Sequence, residues 1–224
     1  MIFFDIDGTL LDHEQAEKLA ALEFYNACSS DIKCNNRDEF LVEWYTLSVK
    51  YYQEYLEKKL SFQEQRRMRM KDVWRFPIKN EEADDLFIEY IISYKRNWFT
   101  FLDVVPCLQR LKGSNQKIGI ISNGEHQQQL EKLNQMDISS YFDVVVTSDS
   151  TGVAKPDKSI FLEACKKAKC KPEESYYIGD RIETDALASK HAGMKGIWLN
   201  RKNSSTHSEV SVIHSLNGFR IERF

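Results

Sequence analysis

The first apolar run of the chain ends in a pair of aspartates, and this arrangement restricts the possible folds more than any other sequence feature. Residues 2–6 read Ile-Phe-Phe-Asp-Ile and are followed by Asp7, Gly8 and Thr9. A run this apolar is typical of a strand that is buried on both faces. A carboxylate inside such a strand is unfavourable unless a cation or hydrogen-bond donors compensate it. Asp5 and Asp7 point the same way along a strand, so their repulsion favours a bound divalent metal or two separated pKa values.

Three later segments also carry polar residues directly after an apolar run. Ser122 and Asn123 follow residues 117–121, Lys155 follows residues 152–154, and Asp180 follows residues 175–179. Each has an ordinary structural explanation, because Ser and Asn cap helices, lysines usually lie on the surface and Asp is common in turns. Helical patterns separate the four runs, however, and alternating strands and helices predict a doubly wound α/β fold with a parallel sheet. Ligands of such sheets bind beyond the carboxyl ends of the strands, where all four polar groups are expected.

Two helix starts are predicted beside these polar groups. One helix is expected over residues 157–168, and Asp157 suits its first turn. Lys155 would stand just before that helix, where its charge opposes the helix dipole unless it faces a phosphate or a carboxylate cluster. A second helix is predicted over residues 185–191, and Asp185 either caps that helix or binds a metal.

The segment from about residue 13 to residue 101 differs from the rest of the chain. No glycine occurs between Gly8 and Gly113. Two series of apolar residues have helical spacing: Phe40, Trp44, Leu47 and Tyr51, and Leu86, Tyr90, Tyr94 and Trp98. We therefore predict an all-helical cap domain, residues 13–101, inserted into a core domain of residues 1–12 and 102–224. The basic run at 66–71 indicates a solvated helix face, and the alternative is a face that attracts a phosphorylated substrate.

Charge, hydropathy and cysteine usage exclude several classes of protein. A net charge of −3 gives no general attraction to nucleic acid, and no apolar run approaches the length of a membrane span. The chain opens directly on the first predicted strand, so we expect no signal peptide. The five cysteines, at positions 28, 34, 107, 165 and 170, form no C-x-x-C pair. They are expected to be reduced thiols of a cytoplasmic protein.

The four motifs resemble those of the haloacid dehalogenase superfamily of phosphoryl-transfer hydrolases. They read DIDGT at 5–9, ISNG at 121–124, KP at 155–156, and GD at 179–180 with Asp185. They follow the family order over nearly the whole chain. The resemblance implies a Rossmann-like core with a helical cap between the first and second motifs.

The resemblance also implies roles for individual residues. Asp5 would be the nucleophile and Asp7 the general acid and base, while Ser122 and Lys155 would hold the phosphate. The implied ligands of Mg²⁺ are Asp5, Asp7 through its main-chain carbonyl, and Asp180. The remaining candidates for contacts with the substrate are Thr9 and Asn123.

These residues predict a Mg²⁺-dependent phosphatase that acts on a small phosphorylated metabolite through an aspartyl phosphate. The arrangement of core and cap most resembles the pyrimidine 5′-nucleotidases, and nucleotides and sugar phosphates are both expected substrates. A phosphomutase would share every core motif. A metal-independent haloacid dehalogenase is disfavoured, because the resembling dehalogenases carry an aromatic residue where Asp7 stands. A non-catalytic binding protein is disfavoured because the acidic and basic motif residues are intact. We expect a monomer or a homodimer.

Overall fold

The computed structural model describes residues 1–202 and 205–221, and its described residues form two compact units. One unit comprises residues 1–12 and 99–221, and the other comprises residues 13–98. The strands are β1 (Ile2–Phe4), β2 (Ile118–Ser122), β3 (Val144–Thr147), β4 (Tyr176–Gly179), β5 (Lys195–Leu199) and β6 (Ser211–Ile213). The α-helices are α1 (His13–Cys28), α2 (Arg37–Leu56), α3 (Phe62–Val73), α4 (Asn80–Arg96), α5 (Val104–Gly113), α6 (His126–Gln135), α7 (Ser148–Thr151), α8 (Lys158–Ala168) and α9 (Ala188–His191).

The first unit is built on one parallel sheet. Its six strands lie in the order β3-β2-β1-β4-β5-β6, and every neighbouring pair is parallel. β1 therefore lies between β2 and β4, with Phe4 opposite both Ile120 and Ile178. β1, β2 and β4 are buried along their whole length, because helices cover both faces of such a sheet. The predicted α/β class with an inserted helical segment is confirmed.

The second unit is helical and has an aromatic core. It contains α1 to α4, and none of the helices in the described part of the chain is long and apolar enough to cross a membrane. The Trp44 ring lies 4.6 Å from that of Tyr90 and 5.7 Å from that of Phe40, measured between centroids. Tyr94 stacks on Tyr90 with an interplanar angle of 7°. The aromatic residues predicted at helical spacing therefore form the interior of this unit.

Two predicted elements differ from the structure. Residues 152–154 are not a strand, because this short run begins at Gly152, whose positive φ of 71° ends α7. The third strand is β3, and Lys155 lies in the loop between α7 and α8. The helix predicted over residues 185–191 starts too late. A π-helical turn at Ile182–Leu187 precedes α9, so Asp185 lies inside the helical segment.

The basic run on α3 is not the solvated face that its charges suggested. Arg69 is 7% exposed, pairs with Glu17 at 3.2 Å, and places its guanidinium carbon 4.4 Å from the centre of the Trp44 ring. Arg67 pairs with Asp84 at 2.6 Å. The prediction is wrong for Arg69, because an arginine can satisfy its charge inside an aromatic core when a buried carboxylate accompanies it.

Candidate active site

The carboxyl edge of the sheet brings candidate residues from three strands together. Asp5 follows β1 directly, Asp180 follows β4, and Ser122 is the last residue of β2. Because β1 lies between β2 and β4, these three positions are neighbours at one edge. The convergence is that expected for the ligand site of a doubly wound sheet.

Gly8 lets the loop after β1 pass close to Asp180. Its φ is +81°, and a Cβ atom here would lie 2.4 Å from Oδ2 of Asp180, so any side chain would collide. The next residue, Thr9, is fully buried, and its hydroxyl donates to Oδ1 of Asp180 at 3.4 Å. That contact supports Asp180, and a contact between Thr9 and substrate stays a prediction.

Three carboxylates form a compact acidic cluster. Oxygens of Asp5, Asp180 and Asp185 all lie within 4.8 Å of one another. Burial raises the pKa of Asp180 to about 8, and the charges of Asp185 and Asp5 contribute to that rise. Burial also raises the pKa of Asp5. The charge of Lys155 lowers this pKa, and the charges of Asp185 and Asp7 offset part of that lowering. Hard divalent cations prefer oxygen ligands, and such a cation would offset the repulsion between the three carboxylates. These residues therefore fit Mg²⁺.

One buried ammonium lies against this cluster. Nζ of Lys155 is 2.9 Å from Asp5 Oδ1 and 2.7 Å from Asp185 Oδ1, and it donates to the Tyr177 hydroxyl at 2.7 Å. Burial opposes the charge on Lys155, but the two carboxylates outweigh it and raise the pKa of Lys155. The Tyr177 hydroxyl donates in turn to the carbonyl of Ile121 at 2.8 Å. Tyr177 therefore connects the ammonium to β2, one residue before Ser122.

Asn123 contacts the main chain of Lys155. Its Oδ1 accepts from the Lys155 N–H at 2.8 Å, and its Nδ2 donates to the Lys155 carbonyl at 3.0 Å. Both ends of the Asn123 amide are thus used to hold the backbone beside the ammonium. Direct binding of substrate by Asn123 stays a prediction.

Asp185 is held by the segment that surrounds it. Its Oδ2 accepts from the Arg181 N–H at 3.0 Å, while its Oδ1 faces Lys155. A Cβ atom on Gly179 would lie 2.4 Å from the Asp185 carboxyl carbon, so the close approach requires glycine at the end of β4. Asp185 therefore binds the main chain at the start of its own helical segment and also lies close enough to the other two carboxylates to take part in a metal site.

The Asp7 carboxylate lies outside the acidic cluster and forms an ion pair with a second lysine, Lys132. Lys132 Nζ is 2.7 Å and 2.8 Å from its two oxygens, and Gln129 Nε2 donates to Oδ2 at 3.1 Å. The same Gln129 nitrogen lies 3.0 Å from Ser122 Oγ and 2.9 Å from the carbonyl of Asn123. Sequence reasoning missed Gln129 and Lys132, because polar residues along a helix usually form its solvated face.

Arg201, also missed from the sequence, supports the loop after β1. Its guanidinium makes two 3.0 Å contacts with Asp103, and Nη2 donates to the carbonyl of Thr9 at 2.8 Å. Asp103 also accepts from the Ser215 hydroxyl at 2.7 Å and the Leu216 N–H at 2.8 Å. The segment near the end of the described chain thus holds the motif that carries Asp5 and Asp7.

Known proteins resemble this chain in sequence and in fold. Residues 1–193 match the family of haloacid dehalogenase-like hydrolases. The chain is 31% identical to glyceraldehyde 3-phosphate phosphatase of Pyrococcus furiosus over 89% of this chain and 80% of that protein. It is 41% identical to pyrimidine 5′-nucleotidase YjjG of Escherichia coli over 43% of each chain. The HAD-hydrolase YfnB from Bacillus subtilis, solved with bound magnesium, shares the fold, with a TM-score of 0.77 and 20% identity over 96% of this chain and 94% of that one.

Proposed function

This chain belongs to the haloacid dehalogenase-like hydrolases and is a phosphatase of that family, and we propose that it hydrolyses a small phosphate monoester with Mg²⁺ as cofactor. One observation carries the proposal. The Lys155 ammonium lies 2.9 Å from Asp5 Oδ1, at the edge of a cluster formed by Asp5, Asp180 and Asp185. A nucleophilic carboxylate, a cation for the phosphoryl oxygens and ligands for a hard metal therefore meet at one point.

The proposed reaction has two displacement steps. An oxygen of Asp5 attacks phosphorus, the ester P–O bond breaks, and Asp7 gives a proton to the departing oxygen. Water then attacks the phosphorus of the aspartyl phosphate and loses a proton to Asp7, the P–O bond to Asp5 breaks, and inorganic phosphate and the free Asp5 carboxylate are released. Lys155 and the Ser122 hydroxyl stabilise the phosphoryl oxygens in both steps.

Mg²⁺ would be held by Asp5, Asp180 and the main-chain carbonyl of Asp7, with Asp185 beside it. When bound, it would lower the repulsion between the carboxylates and the anionic phosphate. The other roles belong to side chains of the protein. Lys155 keeps its charge beside Asp5, and Tyr177 and Asn123 hold Lys155 in place.

We propose a short phosphorylated aldehyde or sugar, of the glyceraldehyde 3-phosphate type, as the preferred substrate. The core residues would contact only groups that all phosphate esters share. Selection among esters would then depend on the helical unit of residues 13–98, which lies within the cap predicted over residues 13–101. The match to glyceraldehyde 3-phosphate phosphatase covers 89% of the chain and must include most of that segment. The match to the pyrimidine 5′-nucleotidase covers 43%, which makes nucleotides the second candidate.

The test is phosphate release from glyceraldehyde 3-phosphate and from pyrimidine nucleoside 5′-monophosphates, with Mg²⁺ and with excess chelator. We expect release only with Mg²⁺, and none from Asp5→Asn, because an amide is a poor nucleophile. Asp137→Asn is the matched control, since Asp137 is exposed and its φ of 54° suits Asn. Turnover by a pure, folded Asp5→Asn protein would remove Asp5 as the nucleophile.

The same assay separates the alternatives. A phosphomutase would move phosphate within a sugar without releasing it. Full activity in excess chelator, with halide release from 2-haloacids, would instead indicate a metal-independent dehalogenase. Absence of any turnover on either substrate class, with or without metal, would favour a binding protein. The cytoplasmic location and the monomeric or dimeric state remain predictions.

A further inference from the structure

We propose that Lys132 and Gln129, two buried residues of α6, are positioning residues that hold the Asp7 carboxylate for proton transfer with the leaving group. The inference rests on the proposed function, because it concerns the step that the proposal gives to Asp7. Neither residue belongs to the four motifs. Both come from the helix that follows Ser122 and Asn123 in the chain.

The contacts fix both the place and the plane of the carboxylate. Lys132 Nζ spans the two oxygens of Asp7 at 2.7 Å and 2.8 Å, and the Gln129 amide reaches Oδ2 at 3.1 Å. Gln129 and Lys132 are three residues apart, so one face of α6 presents both to Asp7. A carboxylate with donors on both oxygens loses the rotation about its Cβ–Cγ bond that an exposed aspartate keeps.

The burial of Lys132 argues for a specific role. Lysine side chains normally carry their ammonium to water, but Lys132 is 3% exposed and turns inward to Asp7. Buried ion pairs contribute little net stability, because the cost of desolvating both charges offsets their attraction. Orientation of Asp7 accounts for such a pair better than stabilisation of the fold does.

Gln129 ties the position of Asp7 to the proposed phosphate site. Its Nε2 lies 3.0 Å from Ser122 Oγ and 2.9 Å from the Asn123 carbonyl, as well as near Asp7. All three neighbours are acceptors, which fixes the orientation of the amide. The acid–base carboxylate and the hydroxyl that would bind phosphate are therefore held by one side chain, which is 2% exposed.

The experiment compares two substrates that differ in their need for a proton. An alkyl phosphate such as glyceraldehyde 3-phosphate must have its leaving oxygen protonated, whereas p-nitrophenolate leaves p-nitrophenyl phosphate as a stable anion. We expect Lys132→Met to lower kcat/KM at least about 100-fold on the alkyl phosphate, in the range of general acid catalysis. On p-nitrophenyl phosphate the loss should stay below about tenfold, because that first step does not need Asp7. Lys132→Arg, which keeps the charge and donors, should recover most of the activity.

Lys112→Met is the matched control. Lys112 makes one contact with Asp143, at 2.8 Å on the surface of the same unit, and its loss should leave both kcat/KM values unchanged. Gln129→Met serves as the second variant; because Gln129 also contacts Ser122, kcat/KM should fall on both substrates, and the fall on the alkyl phosphate should be about tenfold larger than that on p-nitrophenyl phosphate. If Lys132→Met does not fold, the comparison of the two substrates with Gln129→Met tests the positioning role.

The outcomes separate the inference from the proposed function. Equal losses on both substrates, or no loss on either, would overturn the positioning role while wild-type phosphatase activity stands. Phosphate release by wild-type protein from neither substrate would overturn the proposed function, and the inference with it. A loss confined to the alkyl phosphate and recovered by Lys132→Arg is the result that supports both.

Discussion

The Tyr177 hydroxyl connects the Lys155 ammonium to strand β2, so its removal should have a measurable effect on both stability and activity. In the structure it accepts from Lys155 Nζ at 2.7 Å and donates to the Ile121 carbonyl at 2.8 Å. It also lies 3.2 Å from Oδ1 of Asp185. Tyr177→Phe removes this one oxygen from a fully buried ring and leaves the ring itself in place.

The expected cost follows from the partners that the hydroxyl leaves behind. A hydrogen bond to a charged group contributes roughly 1.5–3 kcal/mol, and a neutral one contributes about 1 kcal/mol. Loss of the contacts with Lys155 and Ile121 should therefore lower the free energy of unfolding by about 3 kcal/mol. For a chain of this size that corresponds to a fall in Tm of roughly 6–12 °C. We also expect kcat to fall more than KM changes, because Lys155 loses a contact that orients it toward the transferring phosphoryl group.

The neighbouring tyrosine supplies a matched control. Tyr176→Phe removes the same atom from the preceding residue of β4, where the hydroxyl accepts from the half-exposed Lys195 at 3.3 Å. That change should cost less than Tyr177→Phe, because the contact is longer and Lys195 keeps access to water. Thermal unfolding and phosphate release would be measured for both variants. If Tyr177→Phe were as stable and as active as Tyr176→Phe, the bridging role of Tyr177 would be refuted.

Two further predictions concern charge. In metal-free protein, burial raises the pKa of Asp180 to about 8. Below that pH the folded state keeps the Asp180 proton, which the unfolded state loses at a lower pH. The contribution of Asp180 to the free energy of unfolding is therefore lost as pH rises toward 8. The Tm gained on adding Mg²⁺ should therefore be larger near about pH 8 than near pH 6, and a gain that shrinks over this range would contradict the reasoning. In the helical unit, Arg69→Leu leaves Glu17 without its buried partner and should cost about 3 kcal/mol in thermal unfolding. Arg67→Leu, which breaks the more exposed pair with Asp84, should cost under about 1 kcal/mol, and equal costs would show that burial does not govern these pairs.

The sequence predicts the fold best where strands are central and buried. The runs that form β1, β2 and β4 are apolar on both faces, and these three strands lie in the middle of the sheet. β3 lies at the sheet edge and is absent from the predicted set of strands. Its Val-Val-Val-Thr sequence favours a strand, but none of the candidate site residues follows it, and the third strand was instead expected before Lys155.

The candidate site divides in a similar way. The meeting of Asp5, Ser122 and Asp180 could be predicted, because it depends only on which strands are parallel and where each one ends. The contacts of Tyr177, Lys132 and Arg201 could not be predicted. They depend on how closely side chains from different elements approach one another in the folded chain. A hydroxyl inside a strand and a lysine on a helix have many ordinary uses, and periodicity does not distinguish among them.

The two motif aspartates differ most in the cations that accompany them. A nucleophile and an acid–base group two residues apart require different surroundings, since identical carboxyls would compete for the same proton. Asp5 shares Lys155 with Asp185 inside a cluster of three carboxylates, while Asp7 has Lys132 across both of its oxygens. The first arrangement leaves an excess of negative charge that a divalent cation can neutralise, and the second pairs one carboxylate with one ammonium. Two buried lysines from different elements therefore give the neighbouring aspartates unequal environments.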